Sequence, residues 1–349
     1  MNRLLIASLA ACAALVLACG GGGGNAAPTP GSSTSTPTPT PTVAARKATL
    51  MLDWTPNTNH TGIYVAKQQG WYREAGIDLD IVEPSGTRAS QVVGAGRAEF
   101  GITVAESLLP ARQAGNPIVS IATIMPVNDS SLMAVDPSIR RPRDLQGKKY
   151  GGFGGQLERQ LISELVKCDG GDPAKIDFVD VGNVDYIAGM DQHRFDFVWV
   201  FEGWDATRAR EVLGRPVNTI KFADYLQCIP NWYTPVFIAS EQTVKNDPAL
   251  IRAFLAATSR GYQYAAAQPK EAADLLLRAV PELDRKLVTA SATSLAPKYI
   301  AAGKRWGEQD PAVWTTFEAY LRHGGLLKQQ LDVQAAYTNG FLPDAAPKR

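Results

Sequence analysis

Hydrophobic and polar positions divide this chain into three zones. Residues 4–17 are almost continuously apolar, residues 20–43 carry almost no side chain worth burying, and from Arg46 onward short apolar runs alternate with stretches of helical spacing. In the third zone Ala48 to Leu52, the alternating Ile77, Leu79 and Ile81, then Phe100 with Ile102, and Ile118 to Ile124 predict successive strands of one sheet. Thr87–Ala95 and Glu106–Ala114 leave room for single helices between them. A second set begins near Pro142. Leu157, Leu161, Ile162, Leu165 and Val166 form one face of a helix stopped at Gly170-Gly171, and Phe178–Val181 and Phe195–Phe201 read as strands. Val236–Ala239 is a further strand, and the chain beyond Asp247 has helical spacing. Asp172-Pro173 and Asp247-Pro248 are cap-plus-first-turn pairs that open helices.

Strands alternating with helices predict an α/β fold with largely parallel sheet. The simplest assembly has two lobes. Residues 47–136 and 235–349 build the first, and 137–234 form a second lobe inserted into it. Leu132–Val135 going out and Val236–Ile238 returning are expected to cross between them as a hinge. Two hinged lobes suit capture of a small solute in the cleft between them.

Composition narrows the function. With 45% hydrophobic and 20% charged residues and a net charge of +1, the chain has no field suited to nucleic acid or a membrane surface. The first zone reads as an export signal: Arg3 precedes an apolar run too short to span a bilayer, and Ala18 is a small residue before Cys19. Val16-Leu17-Ala18-Cys19 resembles a bacterial lipobox, so residues 1–18 are expected to be removed, and Cys19 to carry a lipid anchoring the protein to the outer face of the cell membrane. Residues 19–46, with GGGG and STSTPTPTPTPT, then form a disordered tether. No GK[ST] follows the glycines, which makes them a linker and not a phosphate loop.

Cys168 and Cys228 show no disulfide or metal spacing, and free or buried thiols are expected. His60, His193 and His323 lie far apart with no Cys/His spacing, so no metal or cofactor is expected. There is no GxSxG, and the histidines support no Ser/His/Asp arrangement.

The candidate binding chemistry concentrates after the first strand. Asp53, Trp54, Asn57, Asn59 and His60 fall on a loop at a strand's carboxyl end, where open α/β sheets take ligands. Trp54 offers a stacking face; Asn57 and His60 donate and accept in one plane; Tyr64 follows one turn later. Ser85 is placed beside the cleft. From the second lobe, Glu202 and Trp204 lie past a strand end, Gly152 belongs to a GGFGG run with bare backbone N–H groups, and Trp232 adjoins the return crossing.

LDWTPNTNHTGIYVAKQQGWYREAGIDLDI, the later AEFGI and RDLQGKKYG, and the order of these segments resemble the NMT1/THI5-like solute-binding proteins over residues 47 to about 330. The DWxPNxxHxGxYxA run carries most of the specificity, whereas AEFGI and DLQGKK mark fold more than ligand. The resemblance implies a type II periplasmic-binding-protein fold and a monomeric, non-catalytic capture component of an ABC importer, with a permease and an ATPase as partners. It implies a thiamine pyrimidine precursor or riboflavin as ligand, and Trp54, Trp199, Trp204 and Trp232, which suit a large ring system, put riboflavin first and the pyrimidine precursor as the alternative. An aliphatic sulfonate binder and a pyrimidine-synthase-like enzyme are the remaining readings. The eukaryotic relatives of this group that make the thiamine pyrimidine carry a CCCFC run, which this chain lacks.

Overall fold

The computed structural model describes residues 45–344, so the export signal, Cys19 and almost all of the tether lie outside the described residues. Two five-stranded sheets organise the chain. The first has the order β2 (Ile77–Val82), β1 (Arg46–Met51), β3 (Phe100–Thr103), β10 (Val236–Ser240), β4 (Ile118–Thr123). The second has the order β7 (Asp177–Asp180), β6 (Lys149–Gly152), β8 (Phe197–Phe201), β5 (Ser130–Ala134), β9 (Asn218–Lys221). In each, the first three strands are parallel and the fourth, β10 or β5, is antiparallel to its neighbours. Each antiparallel strand is the first that the chain forms after crossing from the other lobe.

The helices α1 (Thr61–Gln68), α2 (Trp71–Glu74), α3 (Ala89–Gly94) and α4 (Ala105–Gln113) join strands of the first sheet; α5 (Gln156–Cys168) and α6 (Tyr186–Asp191) join those of the second. After β10 come α7 (Glu241–Asn246), α8 (Pro248–Ala267), α9 (Pro269–Ala279), α10 (Arg285–Leu295) and α11 (Pro311–His323). The Asp247 carboxylate caps α8 by accepting from Leu250 N at 3.3 Å, as Asp247-Pro248 predicts. Asp172-Pro173 opens only the single 3-10 turn Pro173–Lys175.

The register of β5 corrects the expected lobe boundary. It pairs with β8 from Ser130↔Phe201 to Ala134↔Phe197, so it belongs wholly to the second sheet. The outgoing crossing therefore precedes Ser130, and Leu132–Val135 is not part of it; the return crossing likewise precedes Val236, since Val236–Ile238 pairs with β3 and β4 inside the first sheet. Alternation identifies a strand but not its sheet, which is why the sequence misplaces it. The two crossing segments are tied to each other: Asn128 N donates to Asn231 Oδ1 at 3.0 Å, and Asn231 Nδ2 donates to the Pro126 carbonyl at 3.0 Å.

Packing follows the apolar faces. Leu50, Phe100 and Ile102 of the first sheet bury against Tyr72 and Phe254, with the Phe100 and Phe254 rings 3.9 Å apart and nearly parallel. α1 meets α8 through glycine: a Cβ on Gly261 would lie 1.9 Å from the Gly62 carbonyl oxygen, so only glycine allows this approach. A second cluster runs through both lobes, from Leu108 and Ile118 to Leu132, Leu161 and Phe197, with Trp232, Trp314 and Phe317 between. Helix α11 is thus more than a tail on the first sheet. Gln156 Nε2 and Gln160 Nε2 on α5 donate to the Gly324 and Tyr320 carbonyls at its end, at 2.7 and 3.2 Å.

Cys168 and Cys228 form a disulfide with Cα atoms 5.7 Å apart, contrary to the expected free thiols. The sequence gives no spacing rule for two cysteines 60 residues apart; the fold alone brings the end of α5 beside the segment leaving β9.

Candidate functional site

The loop leaving β1 is built from its own hydrogen bonds. Asn57 caps the turn Thr58–His60: its Oδ1 accepts from Asn59 N at 2.9 Å, and its Nδ2 donates to the Thr55 carbonyl at 3.0 Å. His60 is fully buried, and its Nδ1 accepts from Asn57 N at 3.3 Å. The ring proton therefore sits on Nε2, 2.8 Å from Asp53 Oδ1. Below the loop, Tyr262 donates to the Asn59 carbonyl at 2.6 Å and Tyr299 to the Thr58 carbonyl at 2.7 Å. Asn57 and His60 thus hold the loop, and neither offers a free ring-plane edge as the sequence suggests.

What the loop presents is Trp54. It is 52% exposed, although it is a large aromatic, because Asp53 on one side and the buried Pro56 on the other are anchored. Phe153 occupies the equivalent place in the second lobe, past the end of β6, and is 56% exposed. β1 and β6 are each second in order in their sheets, so the two aromatics stand at matching strand ends.

The same correspondence relates two carboxyl groups that the sequence analysis does not single out. Glu106 lies in the first turn of α4, just past β3; Asp205 lies just past β8. Glu106 is half-buried, Trp232 Nε1 donates to its Oε2 at 3.0 Å, and burial, aided by the nearby Asp53 charge, pushes its carboxyl up to about 7. Asp205 Oδ2 accepts from Phe201 N at 3.2 Å, and burial pushes its carboxyl up to about 6. The signal that would find both is the rule that selects Asp53: a polar residue one to four positions past a parallel strand.

Several predicted contacts lie elsewhere. Trp232 is buried, with its ring stacked on Phe317 at 5.1 Å and 6°, which makes it a hinge core residue and not a ligand platform. Tyr64 is buried among Leu276, Val280 and Val288, where burial and the Glu83 and Glu282 charges raise its hydroxyl to about 12. Trp204 packs half-buried against this same first-lobe cluster, so it joins the lobes instead of lining a ligand face. Ser85 is exposed on the loop after β2.

Gly152 is buried at the end of β6, where a Cβ would lie 2.3 Å from the Tyr150 ring. The N–H groups after it are already filled: Glu158 Oε2 accepts from Gly155 N at 2.9 Å, and both its oxygens accept from Phe153 N. A carboxylate of the chain itself thus occupies the place where the sequence suggests an anionic ligand.

Glu202 points toward the hinge. Burial alone would raise its carboxyl, but Arg210 Nη1 at 2.6 Å outweighs burial and holds it below the ordinary value, with Ser131 Oγ donating at 3.0 Å. It lines a cavity of about 340 Å³ between Pro126–Ser130, Lys221 and Pro297–Ala301. Among the other predicted residues, none lines this cavity.

Past Glu202 the lobes are fastened together. Ser291 of α10 donates to the Gly203 carbonyl and lies 2.5 Å from Thr58 Oγ1, whose hydroxyl is left to donate to it. Asp129 Oδ2 accepts from Gly203 N at 2.7 Å, and its Oδ1 accepts from Lys298 Nζ at 2.5 Å.

Two hinged α/β lobes with paired crossings and a cleft at the strand ends define the periplasmic-binding-protein fold. The periplasmic aliphatic sulphonate binding protein SsuA from Escherichia coli superposes with a TM-score of 0.66 at 17% identity, covering 83% of this chain and 96% of that one. The family model described as NMT1/THI5 like matches residues 57–272, and the chain belongs to that family. Three curated relatives resemble it at similar levels. A 4-amino-5-hydroxymethyl-2-methylpyrimidine phosphate synthase from Legionella pneumophila is 29% identical, over 85% of this chain and 93% of its own length. A formylaminopyrimidine-binding protein from Halalkalibacterium halodurans is 27% identical over 85% and 91%, and the riboflavin-binding protein RibY from Chloroflexus aurantiacus is 27% identical over 85% and 86%.

Proposed function

We propose that this chain is the solute-binding component of an ABC importer and captures a planar nitrogen heterocycle between its lobes, riboflavin first and a thiamine pyrimidine precursor second. The observation that carries this reading is the pair of exposed aromatics, Trp54 and Phe153, at matching strand ends of the two lobes. An exposed aromatic face gains free energy on leaving water against a flat ring, and each stacking contact adds about 0.5–1.5 kcal/mol beyond area burial. The filled N-terminus of α5 weighs against a sulfonate, since Glu158 would repel it.

Two groups that could act as nucleophile or base are otherwise engaged. His60 has both ring nitrogens engaged, and Cys168 and Cys228 are joined, leaving no free thiol among the described residues. The synthase from Legionella keeps an enzymatic reading open to test: conversion of a bound pyrimidine or pyridine substrate by the purified protein would replace capture by chemistry. Titration with riboflavin, read by flavin and tryptophan fluorescence, tests the ligand. Quenching at micromolar ligand is expected, and its absence together with binding of an aminopyrimidine would reassign the site to the second ligand.

The reading extends to an anchored protein, with Cys19 lipidated on the outer face of the membrane and the tether holding the lobes near a permease and its ATPase. Among the described residues no helix is long and apolar enough to cross a membrane. Cys19→Ser is expected to release the protein from the membrane fraction.

A further inference from the structure

The strand exit after β3 carries a hydrogen-bonding group that aromatic stacking does not explain. Glu106 is held from the hinge: Trp232 Nε1 donates to Oε2 at 3.0 Å, and the Trp232 ring is fixed by its stack on Phe317 of α11. Glu106's own backbone N–H also bonds to this carboxyl group, and among the described residues Trp232 is the one other residue that donates to it. The charged group facing Glu106 from the β1 exit is Asp53, whose Oδ1 is bonded to His60 Nε2. A second negative charge beside Asp53 is unfavourable, and no cation pairs with Glu106 among the described residues.

We infer that Glu106 is the specificity-determining residue of the cleft, meeting as a neutral acid the edge of a heterocycle that places an N–H donor beside an acceptor. Its Oε1–H would donate to the ligand acceptor, while Oε2, whose second lone pair is left over by Trp232, would accept from the ligand N–H. This deepens the functional reading above and rests on it. Riboflavin offers such an edge as an imide N–H flanked by carbonyls, and an aminopyrimidine offers it as an amino group beside a ring nitrogen. A sulfonate offers acceptors alone.

The test measures dissociation constants of the full chain at pH 6, 7 and 8 for two probes, riboflavin and 4-amino-5-hydroxymethyl-2-methylpyrimidine. With its carboxyl titrating at about 7, wild-type affinity is expected to fall about tenfold from pH 6 to pH 8, as the competent fraction shrinks. Glu106→Gln keeps an acceptor for Trp232 and a donor for the ligand. It is expected to bind within about threefold of wild type at pH 6 and to show a flat profile, whereas Glu106→Ala loses about tenfold or more at every pH. A flat wild-type profile, or the same decline in Glu106→Gln, overturns the role of Glu106 and leaves capture standing. Failure of wild type to bind either probe overturns the functional reading and this inference with it. Which probe binds tells the two heterocycle sources apart.

Discussion

The carboxylate of Glu158 lies 3.1 and 3.2 Å from the backbone N of Phe153, so a side chain two residues inside α5 closes the loop that presents an exposed aromatic. Truncating it should act on two levels. Glu158→Ala is expected to cost about 0.5–2 kcal/mol of stability through the lost cap, read from urea midpoints. It should also open the helix N-terminus to weak binding of taurine-type sulfonates that wild type does not hold. Strong sulfonate binding by wild type would show that the carboxylate does not guard this position.

Trp54 separates binding from stability. Its ring is half in water, so Trp54→Ala should move the thermal midpoint little, within the range of about ±0.5 kcal/mol typical of surface changes. Loss of a stacking face together with buried area should nevertheless weaken riboflavin about tenfold or more. Equal affinity of the variant and wild type would move the ligand away from the β1 exit.

Gly203 sits where the second lobe packs closely on α10 of the first. A Cβ there would lie 2.5 Å from Leu295 Cδ2 and 2.9 Å from Asp129 Oδ2. Gly203→Ala should therefore cost about 1–3 kcal/mol as overpacking and lift the Glu202–Ala206 turn away from α10. Small-angle scattering should then report a larger radius of gyration in the unliganded state; an unchanged radius with unchanged stability would mean the seam yields freely.

The Cys168–Cys228 bond closes a loop of 60 residues that contains α6, β7, β8 and β9. Chain entropy for a loop of that size, with allowance for strain and residual structure, gives about 2–4 kcal/mol. Reduction, or Cys168→Ser with Cys228→Ser, should lower the denaturation midpoint correspondingly while leaving the ligand site in place. No change on reduction would indicate thiols in solution.

The pH dependence of stability follows from Glu106 and Asp205. A carboxyl whose pKa rises on folding holds its proton more tightly in the native state, so stability falls as pH rises from the unfolded value toward the folded one. For Glu106 that window runs from 4.5 to about 7, and for Asp205 from 3.8 to about 6. Wild type should be more stable at pH 5 than at pH 8 through these groups. Glu106→Gln should show a smaller loss over the same interval, measured by urea denaturation at both pH values; an identical loss would locate the proton elsewhere.

The sequence yields the strands and helices that carry clear periodicity, because apolar alternation is written locally. β2, β3, β4, β8, β10 and α5 all fall where the pattern places them. It misses β9, whose four residues Asn218–Lys221 have little apolar content, and it leaves β5 in the wrong sheet, since pairing partners lie 60 residues or more away. For the site, the loop from Asp53 to His60 is legible as a strand exit, but not that Asn57 and His60 spend their polar atoms inside it. Glu202 is legible as a strand-end carboxylate, while its pairing with Arg210 depends on the turn that follows. Trp232 looks like a cleft aromatic from its place near the crossing; only the docking of α11 turns its face inward.

β10 sits between β3 and β4, and it is the last strand made. All five strands of the second sheet lie between residues 130 and 221, in one uninterrupted stretch. The inserted lobe can thus complete its sheet as soon as that stretch is available, while the first lobe holds two unpaired strand edges facing a gap until residues 236–240 arrive to bridge them. Sheet closure in the host therefore depends on chain that lies beyond the insertion, whereas sheet closure in the insertion needs no strand of the host.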